Sequence, residues 1–130
     1  MRGFRAWHTK LNRYLKDDEF FIDADGKVRN DSFGRGNYEE AFDTSDFDNG
    51  YIILEQDTGL KDRNGKKIRE GDIVKFNETI CVVEFDEMYA RYTLRDQSDD
   101  VVMGFDALII IPFEVIGNIH ENPELLEEEK

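Results

Sequence analysis

The side chains best able to do chemistry here are carboxylates, and their spacing argues against a metal loop. Asp23-Ala24-Asp25-Gly26 has the composition of a calcium loop. Placing Gly26 at the sixth position of such a loop puts Phe21 at the first and Ser32 at the twelfth, where an aspartate and a glutamate must ligate. A hairpin turn is the expected role instead. Asp43, Asp46 and Asp48 also gather before Asn49-Gly50, again without ligand spacing, so a solvated loop is expected there. Two histidines, His8 and His120, and one cysteine, Cys81, cannot complete a structural zinc set without carboxylates. Ser/His/Asp hydrolysis would need a nucleophile elbow, and no Gly-x-Ser-x-Gly is present. Gly34-Arg35-Gly36 offers two glycines of a phosphate loop but no strand-to-helix junction followed by Lys-Ser or Lys-Thr. The expectation is a protein with no catalytic residues, no metal and no cofactor.

Charge gives the remaining chemistry. The formal net charge is −13, from 17 Lys+Arg against 30 Asp+Glu. Residues 1–42 are neutral as a group, and residues 43–130 carry all of the excess. Two basic islands interrupt the acidity. Residues 1–16 hold Arg2, Arg5, Lys10, Arg13 and Lys16 with no acid, interleaved with Phe4, Trp7 and Tyr14. Residues 61–69 hold Lys61, Arg63, Lys66, Lys67 and Arg69 against Asp62 alone. Arg5, Trp7, Lys61, Arg63, Lys66, Lys67 and Arg69 are the candidate binding residues, since cations with stacking aromatics suit a nucleic-acid backbone. The competing reading is that both islands pair with the acidic remainder of the same chain or of a neighbouring subunit.

These residues must be positioned by strands and tight turns. Asp25-Gly26 and Asn64-Gly65 lie between apolar runs and favour the two-residue type I′ turn of a β-hairpin. Asn49-Gly50 leads into the β-branched run Tyr51 to Leu54. From Gly71 onward, 72–76, 79–85 and 89–95 read as an antiparallel meander, with 101–105 and 115–119 as two further strands. Gly71 is expected in a strained backbone position and Gly117 at a bulge or close approach in the last strand. Cys81, inside Ile80-Cys81-Val82-Val83, is expected to be a small buried hydrophobe. Asn122 as N-cap, Pro123 at the first position and Glu124 against the dipole predict a short C-terminal helix. Phe4, Trp7, Leu11 and Leu15 recur at helical spacing, but Thr9 and Asn12 equally serve a hairpin between 4–7 and 14–15, which is preferred. Residues 29–49 read as a Gly-rich loop with room for a short helix at 38–42. No internal repeat is evident.

The whole reads as one mostly β domain with minor α: a small SH3-like barrel or strongly bent antiparallel sheet, with an N-terminal hairpin extension and a short C-terminal helix. Residues 1–57 form the N-terminal hairpins and loop, 58–122 the barrel-like core, and 123–130 the helix and acidic tail. Closure of such a sheet removes exposed edges. No apolar stretch approaches the ~20 residues of a membrane helix, no signal peptide is evident, and a lone cysteine suits a reducing cytoplasm.

Three segments resemble the YopX family of phage and prophage proteins. They are Phe4-Arg5-Ala6-Trp7, the stretch from Thr58-Gly59-Leu60 through Asn64-Gly65 to Gly71-Asp72-Ile73-Val74, and the stretch from Glu114-Val115-Ile116-Gly117-Asn118 to Asn122-Pro123-Glu124-Leu125-Leu126. They occur in the family's order over nearly the whole chain. The family usually has an aromatic residue just before Thr-Gly-Leu, where this chain has Asp57. The resemblance implies a phage or prophage origin and a largely β domain, and it brings no activity and no catalytic residues to carry over. The expected function is that of an accessory protein binding other proteins and itself, in the host cytoplasm and away from membranes. Nucleic-acid binding through the basic islands, and mimicry of nucleic acid by the acidic surface, are the alternatives.

Overall fold

A computed structural model of the chain describes residues 3–30, 44–98 and 100–127. The expected helix at 38–42, Gly34-Arg35-Gly36, Arg2 and the last acids of the tail lie outside them. Half of the structure is strand, about 10% is helix, and one sheet curls strongly into a half-barrel. The chain forms two compact units, Met1–Gln56 and Asp57–Lys130.

In the N-terminal unit, β1 (Phe4–His8) pairs antiparallel with β2 (Arg13–Tyr14), setting Trp7 opposite Tyr14. The hairpin reading of this segment holds, and Asn12 supplies the positive φ of 59° that its turn needs. A second hairpin joins β3 (Phe20–Ile22) to β4 (Val28–Asn30). A 3-10 turn at Thr44–Phe47 precedes β5 (Ile52–Lys61), whose first half pairs with β1. Ala6, Leu15 and Phe20 form the core, closed by Val28, Phe47, Ile52 and Leu54.

In the C-terminal unit, the second half of β5 pairs with β6 (Lys67–Arg69). Five strands then follow as one antiparallel sheet in the order β10-β9-β8-β7-β11. They are β7 (Asp72–Phe76), β8 (Thr79–Asp86), β9 (Arg91–Asp96), β10 (Val101–Gly104) and β11 (Glu114–Asn118). Ile68, Val74, Cys81, Val83, Leu94, Leu108, Phe113 and Val115 build the core. Cys81 is fully buried as expected, and burial, with the nearby charge of Asp96, pushes its thiol up to about 11.

Four local expectations are corrected. The Asp25-Gly26 and Asn64-Gly65 turns are not type I′, because only the glycine of each pair has positive φ, 80° and 83°. Each is a three-residue loop with a type I turn and glycine at the bulge position. In the first, Gly26 N–H donates to the Asp23 carbonyl (3.0 Å) and Asp23 N–H to that of Lys27 (2.9 Å). In the second, Gly65 N–H donates to Asp62 (3.0 Å) and Asp62 N–H to Lys66 (2.7 Å). The Asp23 and Asp62 side chains each accept two further amides of their own loop. Asp-x-(Asp or Asn)-Gly-Lys is thus a turn device used twice. Second, the strand expected over 101–105 stops at Gly104, and Phe105–Ile110 is a helix, α1. It ends because Ile111 precedes Pro112, whose ring disfavours a helical neighbour, and Ile111 is extended at φ −92° and ψ 128°. Third, the expected short C-terminal helix is present as a 3-10 helix, Pro123–Leu126, with Pro123 in its first turn, but Asn122 makes no side-chain cap to it. Its Oδ1 accepts Asn118 N–H instead (3.3 Å). Fourth, Tyr89 and Ala90 belong to the β8–β9 turn, and β9 starts at Arg91.

Gly71 and Gly117 sit as expected. Gly71 has φ +87° between β6 and β7, and the register of β11 against β7 shifts between Val115 and Gly117, a bulge.

Candidate interaction surfaces

The N-terminal basic island is turned toward acids. Arg5 Nε donates to Glu55 Oε1 (2.8 Å), which also accepts the Tyr14 hydroxyl (2.8 Å), and the Arg5 guanidinium lies 4.7 Å from the Tyr14 ring centroid. Trp7 is only 4% exposed and meets Tyr14 edge-on. Arg13 grips Glu19 with both terminal nitrogens (2.9 and 3.1 Å). Burial alone would raise the Glu19 carboxyl; the Arg13 hydrogen bond, the Lys16 amide and the charges of Arg13 and Lys16 outweigh it and hold it below its ordinary value. Lys10 Nζ reaches Asp46 Oδ1 (3.1 Å).

His8 and Asp46 have the makings of a catalytic dyad but not its access. The ring is fully buried. Its Nδ1 accepts the amides of Lys10 (3.2 Å) and Leu11 (3.1 Å), which leaves the proton on Nε2, facing Asp46 Oδ2 at 2.9 Å. A general base needs a nitrogen within reach of a substrate, and both nitrogens of His8 are committed to protein atoms. The set ties the β1–β2 turn to the 3-10 turn before β5. Glu55 and Asp46 could not be paired with Arg5 and His8 from the sequence because 50 and 38 positions separate them. Among the described residues no group of three or more His, Cys, Asp or Glu is placed to hold a metal ion. A groove of about 380 Å³ in this unit is lined by Lys27, Val28, Arg29, Phe47, Asp48 and Leu54. Its guanidinium, Arg29, is already held by Asp23 (2.8 Å) and Asp48 (3.5 Å).

The second island is presented outward. Lys61, Arg63, Lys66 and Lys67 are exposed at the β5–β6 hairpin, and Arg69 is half-buried opposite Asp57. Lys67 Nζ stands 3.8 Å from Asp57. The hairpin is anchored at its base. Asp62 Oδ2 accepts Val115 N–H (2.9 Å), and Arg63 N–H donates to the Phe113 carbonyl (3.0 Å). Burial would raise the Asp62 carboxyl, but the amides of Val115, Lys66 and Asn64 and the Lys66 charge bring it below its ordinary value.

A third surface is apolar. β10 closes one end of the five-stranded sheet, and no described strand pairs with its outer side. Val101 and Val102 are both exposed at a register shift in β10. α1 follows directly, with Leu108 in the core but Ile109 62% and Ile110 78% exposed. At the β8–β9 turn, Met88 (83%) and Tyr89 (66%) also face outward, with Arg91 5.3 Å over the Tyr89 ring. Trp7 is buried and offers no such surface, whereas these side chains are among the exposed large apolar ones.

The family model described as YopX protein matches residues 3–127. The chain belongs to the YopX family. A solved structure, the crystal structure of protein EF1440 from Enterococcus faecalis, is similar to it at 29% sequence identity and a TM-score of 0.61, covering 96% of this chain and 97% of that one. Among curated proteins none matches. The YopX segments quoted from the sequence fall on β1, on the continuous run from β5 through the basic hairpin to β7, and on β11 with the turn after it. In this YopX chain they are therefore the parts that fix turns and strand pairing, with Asp62, Gly65, Gly71 and Gly117 as the positions that make them work.

Proposed function

We propose that this YopX-family protein is a non-catalytic accessory protein of a phage or prophage that works in the host cytoplasm by binding protein, including a second copy of itself. The observation that carries this reading is the exposed apolar group on the β10 edge and α1, Val101, Val102, Ile109 and Ile110. Exposed β-branched side chains on an unpaired edge strand and on the helix that follows it are the combination that a strand or helix of another chain covers. The commitment of both His8 nitrogens to protein atoms speaks for a binding rather than a catalytic role.

Self-association has a predicted salt dependence. Two copies at −13 each repel, so salt strengthens an apolar contact between them by screening that repulsion. Sedimentation velocity at increasing sodium chloride tests this. The wild type is expected to shift from monomer toward a larger species as salt rises, and Ile109→Lys with Ile110→Lys is expected to stay monomeric with an unchanged circular dichroism spectrum. A wild type that remains monomeric at every salt removes self-association and leaves the edge for a different protein.

A further inference from the structure

The basic hairpin is a second contact surface, independent of the apolar edge, and we infer that it grips the phosphate backbone of a nucleic acid. Nine basic residues lie between positions 43 and 130, and five of them fall in 61–69. The one acid among those five, Asp62, is satisfied by three backbone amides and makes no ion pair within 4.0 Å with the cations around it, feeling the Lys66 side chain only through its charge. Lys61, Arg63 and Lys66 make no ion pair with any described residue, and Lys67 meets Asp57 only at 3.8 Å. Strand pairing sets Lys75 on β7 opposite Glu114 on β11, and Asn64 at the hairpin tip donates to the same Glu114 (3.4 Å), so this neighbouring pair adds no net charge to the five cations.

Two features favour phosphates over a protein partner. The first is rigidity. Asp62 and Arg63 bond to Val115 and Phe113, and Gly65 fixes the turn, so the backbone carrying the cations loses little freedom on binding. The second is composition. Protein interfaces are built around a buried apolar or aromatic anchor, and between Lys61 and Arg69 the only large apolar side chain, Ile68, is already in the core. The exposed tip, Arg63, Asn64, Gly65 and Lys66, carries two cations, with the one carboxylate of Glu114 held beside Asn64. That suits backbone contacts, which are ionic and sequence-independent. The acidic remainder of the chain repels at long range, but over a Debye length of about 8 Å at physiological salt its effect on bound phosphates is screened.

Fluorescence anisotropy with labelled mixed-sequence DNA, single-stranded and duplex, from about 50 to about 200 mM salt decides the matter. With four contacts, log K should fall against log salt with a slope of about −3 to −4. Lys66→Glu with Lys67→Glu is expected to weaken binding more than tenfold and to flatten the slope by about two. Lys27→Glu with Arg91→Glu makes the same change in net charge outside the hairpin and is expected to cost much less. Melting curves confirm that both variants fold. No binding at the lowest salt, or equal losses in the two variants, overturns the inference. So does a hairpin variant that changes the sedimentation of the protein but not its anisotropy signal, an outcome that would give the hairpin to a second copy.

Discussion

At the scale of single residues, the structure turns a surplus of acids into a small number of assigned ones. Glu19 is the clearest case. Its carboxylate is buried and held by Arg13 and by the Lys16 amide at 2.6 Å. Removing one partner of such a pair leaves the other uncompensated, so Glu19→Ala is expected to cost about 3 kcal/mol by chemical denaturation. Its pH dependence has a definite sign. The folded carboxyl lies below its ordinary value of 4.5, so the stabilisation is complete above about that pH and is lost as pH falls through the folded value. Glu19→Gln should therefore lose less stability than the wild type between neutral pH and pH about 3. Asp62 works in the same direction from its ordinary 3.8. Equal acid sensitivity in Glu19→Gln and wild type would mean that the pair contributes nothing across that window.

At the scale of elements, turns decide the architecture, and one of them is coupled to the last strand by a close approach. A Cβ on Gly117 would lie 2.6 Å from Asn122 Oδ1. Gly117→Ala is thus expected to destabilise by about 1–3 kcal/mol through overpacking. Because the obstacle is the Asn122 side chain including its Cβ at 2.9 Å, most of that penalty should vanish in the Asn122→Gly background, although Asn122→Gly alone also loses the bond to Asn118 N–H. A double-mutant cycle measures this, and additive losses would contradict the geometry. Gly65 raises the opposite issue. Nothing lies within 4 Å of its ideal Cβ, yet φ is +83°, so Gly65→Ala is expected to cost about 1–2 kcal/mol from backbone strain alone. These elements also show where the sequence was legible. Strands and the position of each turn could be read from β-branched runs and from glycine, because those signals are local. The turn type could not be read from the dipeptide, since the carboxylate that organises each loop sits two or three residues earlier. α1 was hidden because Ala107 to Ile111 has no periodicity and three successive isoleucines favour a strand, while burial of Leu108 at the end of the sheet decided otherwise. The buried acids were illegible for a different reason: Arg5 and Glu55 are 50 positions apart and His8 and Asp46 are 38, and nothing local marks such pairs.

At the scale of the whole molecule, charge is segregated rather than merely excessive. The N-terminal cations are matched internally by Glu55, Asp46 and Glu19, the second set is gathered on one hairpin, and among the described residues the remaining charge is mainly acidic, much of it exposed. The native state therefore carries self-repulsion that the expanded chain relieves. Monovalent salt should screen that repulsion more than it weakens the pairs, because Arg5–Glu55 and Arg13–Glu19 are shielded from solvent and surface charges are not. The expected result is a Tm that rises by several degrees between about 10 and about 300 mM sodium chloride, the equivalent of roughly 1 kcal/mol for a chain of this length. Reversing Lys66 and Lys67 to glutamate deepens the negative charge while leaving the Asp62 amide bonds in place, so that variant should melt lower at low salt and converge on the wild type as salt rises. The same concentration range then sets phosphate binding at the hairpin, which falls with salt, apart from native stability and apolar self-association, which both rise. A Tm that stays flat or drops would show that the internal ion pairs, rather than the exposed acids, set the electrostatic balance of the fold.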